Sequence, residues 1–373
     1  MLQYISEYLQ TLWGPFRLLG SHSVLLTGAV FTAGFLVFIF LPKLYRLMPL
    51  DRGKTIAADG GKQSAGKPTG AGLCVALLLL PVVVLFVPFG IWGWLATIAA
   101  YACMFFGYLD DASRIPWGDI KKGALDLAVG AFASACIYME QGGRIWLPLT
   151  DSTVVLPFWA FLIIGTLVIW MAINSTNCSD GIDGLAGSLA LITLLALAAM
   201  LYGVVGHVKI AKYLLIPHNP IGAKWAIMLM IQVGALAGYL WYNASPSQVM
   251  MGDAGSRFLG MLIGIGVLVC GNPLLVLVAA PMLLINGGTG IVKIALLRCL
   301  KKCGVDTRVT GNLPQEQANR QPVVVRALHS VCFPLHDHFR KRKGWSNAQV
   351  LMRFILIQSL LIPVLFLLLI KIR

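Results

Sequence analysis

The sequence predicts an all-α polytopic membrane protein, and its composition carries that prediction. Of its 373 residues, 58% are hydrophobic and only 12% are charged, and the mean hydropathy is +0.80. Soluble domains carry about 25% charged residues. So low a charge content excludes a disordered chain, a coiled coil and an ordinary cytosolic enzyme.

Ten segments are apolar over roughly the length that a membrane span requires, which is about 20 residues. The predicted spans cover residues 25–47, 73–88, 91–108, 124–138, 156–173, 185–205, 226–242, 258–270, 273–285 and 351–370. Residues 1–20 contain Trp13, Phe16 and Arg17 and resemble an interfacial helix. Residues 286–350 form a long predicted cytoplasmic segment before the last span. We expect a single integral membrane domain over residues 1–373.

The distribution of charge predicts the orientation of these spans. The net charge is +14, and the loops after the odd-numbered spans, with their flanks, hold 22 of the 29 Lys and Arg residues. The positive-inside rule makes that face cytoplasmic and both termini periplasmic. Because the basic excess then reflects topology, we expect no nucleic-acid partner. Eleven of the 15 acidic residues fall on the same face, whereas Asp126 lies within the fourth span.

Two cytoplasmic segments combine acidic and amide side chains at span ends. The first contains the adjacent carboxylates Asp110 and Asp111, which would repel each other unless a cation lay between them. In the second, an offset of three residues would place four oxygen-bearing side chains on one face of a helical turn. These four are Asn174, Asn177, Asp180 and Asp183.

Two further segments complete the set. The third is M-G-D-A-G-S, in which Asp253 lies ten residues after Asn243. The fourth contains His336, Asp337 and His338 and precedes the basic run 340–343. Mg²⁺ prefers carboxylate oxygens and commonly bridges them to substrate phosphates, and no P-loop pattern is present. Together the four segments predict a Mg²⁺ site for phosphate chemistry at the cytoplasmic face.

These motifs resemble those of the polyprenyl-phosphate N-acetylhexosamine-1-phosphate transferases. The resemblance rests on the Asp110–Asp111 pair, N-x-x-N-x-x-D-G-x-D-G-L from Asn174, M-G-D-A-G-S, and P-T-G-A-G from Pro68. Within that superfamily, the histidine segment and the following Gly-Trp at 344–345 are similar to the phospho-N-acetylmuramoyl-pentapeptide-transferase branch. The resemblance covers nearly the whole chain.

The resemblance implies a reaction in the bacterial cytoplasmic (inner) membrane, with a possible homodimer as the working form. UDP-MurNAc-pentapeptide and undecaprenyl phosphate would give lipid I and UMP with Mg²⁺, as a step of peptidoglycan synthesis. Such a phosphoryl transfer depends mostly on positioning and on charge stabilisation.

The same resemblance implies roles for individual residues. Asp253 matches the Mg²⁺ ligand, Asp110 matches a proposed base supported by Asp111, and His336 matches a histidine near the diphosphate. Further residues match substrate-binding positions: Lys67, Thr69, Arg114, Asn174, Asn177, Asp180, Asp183, Asn243 and His338. Lys62 is another possible basic contact. Whether the transfer is direct or passes through a covalent aspartyl-phosphate stays open.

The sequence also departs from the family pattern. Asp337 replaces the middle one of three histidines, Lys67 stands where threonine is common, and Met250 stands where an aromatic side chain would stack on uracil. The basic run 340–343 replaces a more neutral stretch.

Two alternatives stay open at this point. One is a GlcNAc-1-phosphate transferase acting on the same lipid, which the histidine segment and Trp345 disfavour. The other is a cation-coupled transporter, which would place its acidic residues near the bilayer midplane.

Overall fold

The computed structural model describes residues 1–51, 65–113, 115, 117–148, 152–308 and 321–367. The regular structure in this part of the chain is helical, apart from one small hairpin and an isolated β-bridge between Leu50 and Pro68. The α-helices are α1 Leu2–Leu9, α2 His22–Leu44, α3 Ala71–Phe86, α4 Ile91–Ala112, α5 Asp119–Gln141, α6 Phe158–Ser179, α7 Leu185–Met200, α8 Val208–Tyr213, α9 Gly222–Asn243, α10 Gly252–Val269, α11 Val276–Ala279, α12 Pro281–Leu283, α13 Thr289–Lys302, α14 Val323–Ser330, α15 Leu335–Lys343, α16 Asn347–Leu361 and α17 Val364–Leu367. The hairpin pairs β1 Arg144–Trp146 with β2 Thr153–Val155 in antiparallel register.

The helices confirm the predicted fold class. Eight helical segments in the described chain are long and apolar enough to cross a membrane: His22–Leu47, Ile91–Ala112, Asp119–Gln141, Phe158–Ser179, Leu185–Val205, Gly222–Asn243, Gly252–Val269 and Pro281–Lys302. Two shorter apolar helices, α3 and α16, coincide with the second and tenth predicted spans. The count of ten spans and the orientation of the termini stay predictions.

The ninth apolar segment differs from the prediction of a span at 273–285. Short helical pieces precede Ala280, and the long helix begins only at Pro281 and continues to Lys302. Pro281 has no amide hydrogen to donate to the preceding turn, so the chain breaks before it. The predicted span ended at residue 285, but a π-turn, Leu284–Gly288, carries the helix on through Asn286, Gly287 and Gly288. The predicted cytoplasmic segment 286–350 therefore begins inside a helix.

Helix α10 forms the centre of the bundle. It packs against α3, α4, α6 and α7, and every residue from Ala254 to Val269 is buried. A Cβ added at Gly260 would overlap the backbone of α6 at Ala172 and Ile173. Small residues of this kind let apolar helices approach closely within a membrane. The centre of the bundle thereby holds α4, α6 and α10 against one another.

Candidate active site

Two carboxylates from different helices converge on one lysine ammonium. Asp110, near the end of α4, forms an ion pair with Lys122 of α5. Lys122 Nζ also lies 3.0 Å from Asp253 Oδ2, in the first turn of α10. The backbone N–H of Trp117 donates to Asp110 Oδ1 at 2.7 Å. We call Asp110, Lys122 and Asp253 the carboxylate cluster.

The adjacent carboxylates Asp110 and Asp111 make different contacts in the structure, and a Mg²⁺ ion at these acidic residues stays a prediction. Lys122 joins Asp110 to Asp253, whereas the neighbouring Asp111 accepts hydrogen bonds from two backbone amides. Asp253 N donates to Asp111 Oδ1 and Ala254 N donates to Asp111 Oδ2, each at 3.1 Å. A carboxylate at this place satisfies unpaired N–H groups and complements the helix dipole. The contacts of Asp111 are thus those of a residue that caps α10.

Two glycines let these elements meet. A Cβ at Gly107 of α4 would overlap the backbone of Asp253 and Ala254. Gly252 has a φ of +72°, a left-handed conformation that favours glycine. Together these two glycines let the end of α4 pack directly on the start of α10.

Two of the predicted motif segments, those with Lys67 and Asp183, meet at Ser247 in a second polar group. Ser247 donates from its backbone N–H to Asp183 Oδ2 at 3.1 Å and from Oγ to Asp183 Oδ1 at 2.8 Å. Lys67 Nζ donates to Ser247 Oγ at 2.9 Å and lies 3.9 Å from Asp183 Oδ2. We call Lys67, Asp183 and Ser247 the loop cluster, because all three residues lie between helices.

The predicted single helical face over residues 174–183 is wrong in its second half. Asn174 and Asn177 lie in the last turns of α6, but α6 ends at Ser179. Asp180 leaves helical geometry with a ψ of 63°, and Gly184 takes a φ of +78° before α7. The two Asp-Gly steps turn the chain, as short polar residues followed by glycine favour.

The asparagines of this group all make defined contacts. Asn177 Nδ2 donates to Ser256 Oγ of α10 at 3.1 Å, and Asn174 Nδ2 donates to Trp170 O at 2.9 Å. Asn243 is buried, accepts from Gly184 N at 2.9 Å and donates to Val249 O at 2.7 Å. Asn243 therefore fixes the turn that carries Asp183.

His336 is buried at the start of α15 and is oriented by Asn286 in the π-turn. Asn286 Oδ1 accepts from His336 N at 2.8 Å and contacts His336 Nδ1 at 3.1 Å. Because the backbone amide must donate, the Asn286 atom is the oxygen, so Nδ1 carries the hydrogen and the neutral ring has its lone pair on Nε2. Nε2 packs against Gly181. Burial lowers the pKa of His336 from 6.5 to about 4.

The two departures around the histidines compensate each other. Asp337 lies 3.1 Å from Lys341 Nζ and 3.5 Å from Arg340 Nη1, one helical turn further along. Asp337 thus pairs with two residues of the basic run 340–343. His338 accepts from Cys332 N at 3.3 Å through Nδ1, and therefore orders the segment before α15.

The remaining predicted residues divide into two groups. Thr69 is buried, and its N–H donates to Pro49 O. Met250 pairs with the P-T segment through its backbone, donating to Pro68 O at 2.8 Å and accepting from Ala71 N. Arg114 and Lys62 lie outside the described residues. The catalytic and binding roles stay predictions for every residue of this site.

Lys122, Ser247 and Asn286 were not predicted for the site. Lys122 was counted only toward the basic residues that set orientation. Its position, one helical turn before the single acidic residue within a span, Asp126, was the available signal. Ser247 and Asn286 carried no recognisable signal, because short polar side chains between helices are common.

The two aspartates of the carboxylate cluster offer the type of ligand that Mg²⁺ prefers, carboxylate oxygen. Asp110 and Asp253 converge from two helices on one positively charged group, Lys122. No group of three or more His, Cys, Asp or Glu side chains within metal-binding distance occurs among the described residues. Mg²⁺ commonly uses one or two carboxylates and completes its shell with water and substrate phosphates, so two convergent carboxylates suffice.

The fold and the site define a polytopic membrane protein with a polar, carboxylate-lined site where helix ends meet. Residues 91–271 match the family model described as glycosyl transferase family 4. The chain is 41% identical over 365 residues to the phospho-N-acetylmuramoyl-pentapeptide-transferase of Treponema pallidum strain Nichols, a match that covers 97% of this chain and 93% of that protein. The enzyme of the same name from Bartonella quintana strain Toulouse is 27% identical over 352 residues, 89% of each chain.

These similarities confirm the resemblance drawn from the motifs. The chain belongs to the phospho-N-acetylmuramoyl-pentapeptide-transferase family.

Proposed function

We propose that this protein transfers phospho-MurNAc-pentapeptide from its UDP derivative to undecaprenyl phosphate, releasing UMP and forming lipid I in peptidoglycan synthesis. Family membership over 97% of the chain supports the reaction. The observation that carries the proposal is the convergence of Asp110, Lys122 and Asp253 at the ends of apolar helices. A lipid phosphate can reach such a site from the bilayer, and a soluble nucleotide can reach it from water.

In this reaction an oxygen of the lipid phosphate attacks the β-phosphorus of the nucleotide sugar. The new P–O bond forms as the bond from that phosphorus to the bridging oxygen breaks, and UMP leaves. Asp110 is the candidate base for the lipid phosphate when it arrives as a monoanion. Lys122 neutralises charge beside it, and fixed positive charge of this kind stabilises a phosphoryl-transfer transition state.

Magnesium is part of the proposal. Asp253, with Asp110, would hold the ion, which when bound supplies positive charge to the donor diphosphate. Since Lys122 already contacts both carboxylates, it can balance their charge before the ion and the donor arrive.

The loop cluster and His336 are the candidate donor-binding groups. Lys67 and Ser247 offer hydrogen-bond donors, and charge-assisted contacts to phosphate are stronger than neutral ones. His336 is held by Asn286 on one side and faces Gly181 with Nε2. A diphosphate bound beside Nε2 would favour the protonated ring, because an anion raises the pKa of a nearby imidazole.

The test is UMP release by the purified full-length protein with undecaprenyl phosphate and Mg²⁺. UDP-MurNAc-pentapeptide and UDP-GlcNAc are offered in parallel reactions, each repeated with a chelator. We expect UMP only with the pentapeptide donor and only when Mg²⁺ is present. UMP release from UDP-GlcNAc but not from UDP-MurNAc-pentapeptide would identify the protein as a GlcNAc-1-phosphate transferase. Equal rates with the chelator would remove Mg²⁺ from the reaction.

A further inference from the structure

A buried ion pair lies one helical turn beyond the carboxylate cluster. Arg257 Nη2 of α10 lies 2.7 Å from both Oδ1 and Oδ2 of Asp126 on α5. The two side chains are 2% and 3% exposed. Arg257 follows Asp253 by four residues, and Asp126 follows Lys122 by four. Helices α5 and α10 are therefore joined by two successive ion pairs.

The two ion pairs have opposite polarity. In the first, the base is on α5 and the acid is on α10; in the second, the acid is on α5 and the base is on α10. Residues four apart on a helix are neighbours and attract when oppositely charged. Asp126 is thus positioned to compete with Asp110 and Asp253 for the ammonium group of Lys122.

The second pair also contacts the site directly. Arg257 Nη2 donates to the backbone carbonyl of Lys122 at 3.2 Å. Asn174 Nδ2 contacts Asp126 Oδ2 at 3.4 Å. The pair thereby touches one member of the carboxylate cluster and one predicted substrate-binding residue.

Stability alone is a poor explanation for this pair. Buried charges in a membrane protein are costly and usually functional, and a buried ion pair often stabilises no more than apolar residues would. In addition, Arg257 Nη1 is buried and makes no hydrogen bond to any residue that the structure describes. The arrangement therefore leaves one donor of Arg257 unsatisfied within the described chain, while it places the guanidinium against both oxygens of Asp126.

We propose that Arg257 is a positioning residue: by binding Asp126 it keeps Lys122 directed at Asp110 and Asp253. Without Arg257, the buried carboxylate of Asp126 draws the Lys122 ammonium inward along α5 and away from the carboxylate cluster. The role in turnover rests on the proposed transferase activity, whereas the position of Lys122 does not.

The first measurement is independent of activity. Lysines of the folded protein are acylated with an amine-reactive reagent, and labelling at Lys122, whose side chain is 25% exposed, is quantified by peptide mass spectrometry. Exposed Lys121 lies over the Trp117 ring and serves as the control within each sample. We expect Arg257→Leu to reduce labelling at Lys122 at least about threefold relative to Lys121, and Asp126→Asn/Arg257→Leu to restore it. Unchanged labelling in Arg257→Leu would overturn the proposal.

The second measurement uses the transferase assay on equal amounts of folded protein. Arg257→Leu should lower kcat about tenfold while KM for the nucleotide donor changes less than about threefold, and the double variant should recover most of kcat. Arg257→Lys should retain kcat within about threefold, since it keeps the charge. Gln358→Leu removes buried hydrogen bonds to Ala279 and Met282 and controls for lost stability alone.

The outcomes separate the two proposals. A double variant as slow as Arg257→Leu, with matching thermal midpoints, would contradict the positioning role. If the wild-type protein releases no UMP while labelling at Lys122 follows the expected pattern, the transferase proposal fails and the control of Lys122 by Arg257 stands.

Discussion

The carboxylate cluster and the loop cluster each bring a lysine to an aspartate, but on different supports. Asp110, Lys122 and Asp253 lie on three helices of the buried bundle, and the glycine contacts between α4 and α10 fix their spacing. Lys67, Asp183 and Ser247 lie between helices and depend on turns that Asn243 holds in place. Under the proposed function, the groups assigned to bond breaking stand on buried helices of the core, whereas the groups assigned to donor recognition stand on connecting segments.

The largest effect is expected at Asp253. Asp253→Asn removes the charge of the candidate Mg²⁺ ligand and the ion pair with Lys122, and we expect kcat to fall more than about 100-fold. UMP release measures the loss. Asp306→Asn is the matched control, since Asp306 pairs only with exposed Arg308 among the contacts described for it. Near-normal turnover in Asp253→Asn would remove this residue from the metal site.

Substitution of Asp110 and substitution of Asp111 should lower activity to different extents. Asp110→Asn removes the candidate base, and we expect kcat to fall by about 100-fold or more. Asp111→Asn keeps one oxygen that can accept a hydrogen bond from the start of α10. The substitution should therefore lower the free energy of unfolding by about 1 kcal/mol and lower kcat less than about tenfold. Thermal midpoints and UMP release are measured on both variants. The reverse order of kcat losses would contradict the capping role of Asp111.

A smaller effect is expected from the residue that orients His336. Asn286→Leu removes the acceptor for His336 N and Nδ1, and we expect KM for the donor to rise about tenfold with little change in kcat. Steady-state kinetics over donor concentration measures both constants. A fall in kcat alone would place His336 with the carboxylate cluster instead.

The smallest effect concerns pH. Because burial holds the pKa of His336 near 4 in the folded protein against 6.5 for an ordinary histidine, the unfolded chain binds the extra proton first as pH falls. The stability that the neutral ring contributes is complete above pH 6.5 and is lost as pH falls toward 4. Thermal midpoints between pH 7 and pH 4 should decline less steeply in His336→Gln than in the wild type. Parallel declines would contradict the lowered pKa.

Much of the fold was predictable because apolar length is a strong signal. Nine of the ten predicted spans overlap apolar helices that the structure describes. The ninth, at 273–285, was wrong because the chain breaks before Pro281 and a π-turn then carries the helix through Asn286, Gly287 and Gly288. Amide and glycine residues there look like a loop in sequence. Their helical geometry depends on packing against α6, where Gly287 approaches Ser175, and this contact cannot be inferred from local pattern.

Candidate site residues could be chosen from the sequence, but their contacts could not. Acidic residues at predicted span ends made Asp110 and Asp253 candidates, and their roles stay predictions. Their shared partner Lys122 resembled an ordinary basic residue at a helix start, and the turn that takes Asp183 off the helix depends on the conformation of Gly184. Which charges pair is determined by how helices cross, and offsets along one helix do not contain that information.

The most direct test of the division between the two clusters compares Lys122→Met with Lys67→Met in the transferase assay. Both substitutions remove one ammonium group and keep a flexible apolar stem. We expect Lys122→Met to lower kcat about 100-fold with KM for the donor nearly unchanged, and Lys67→Met to raise that KM about tenfold with kcat nearly unchanged. Equal losses in kcat from both variants would contradict the account.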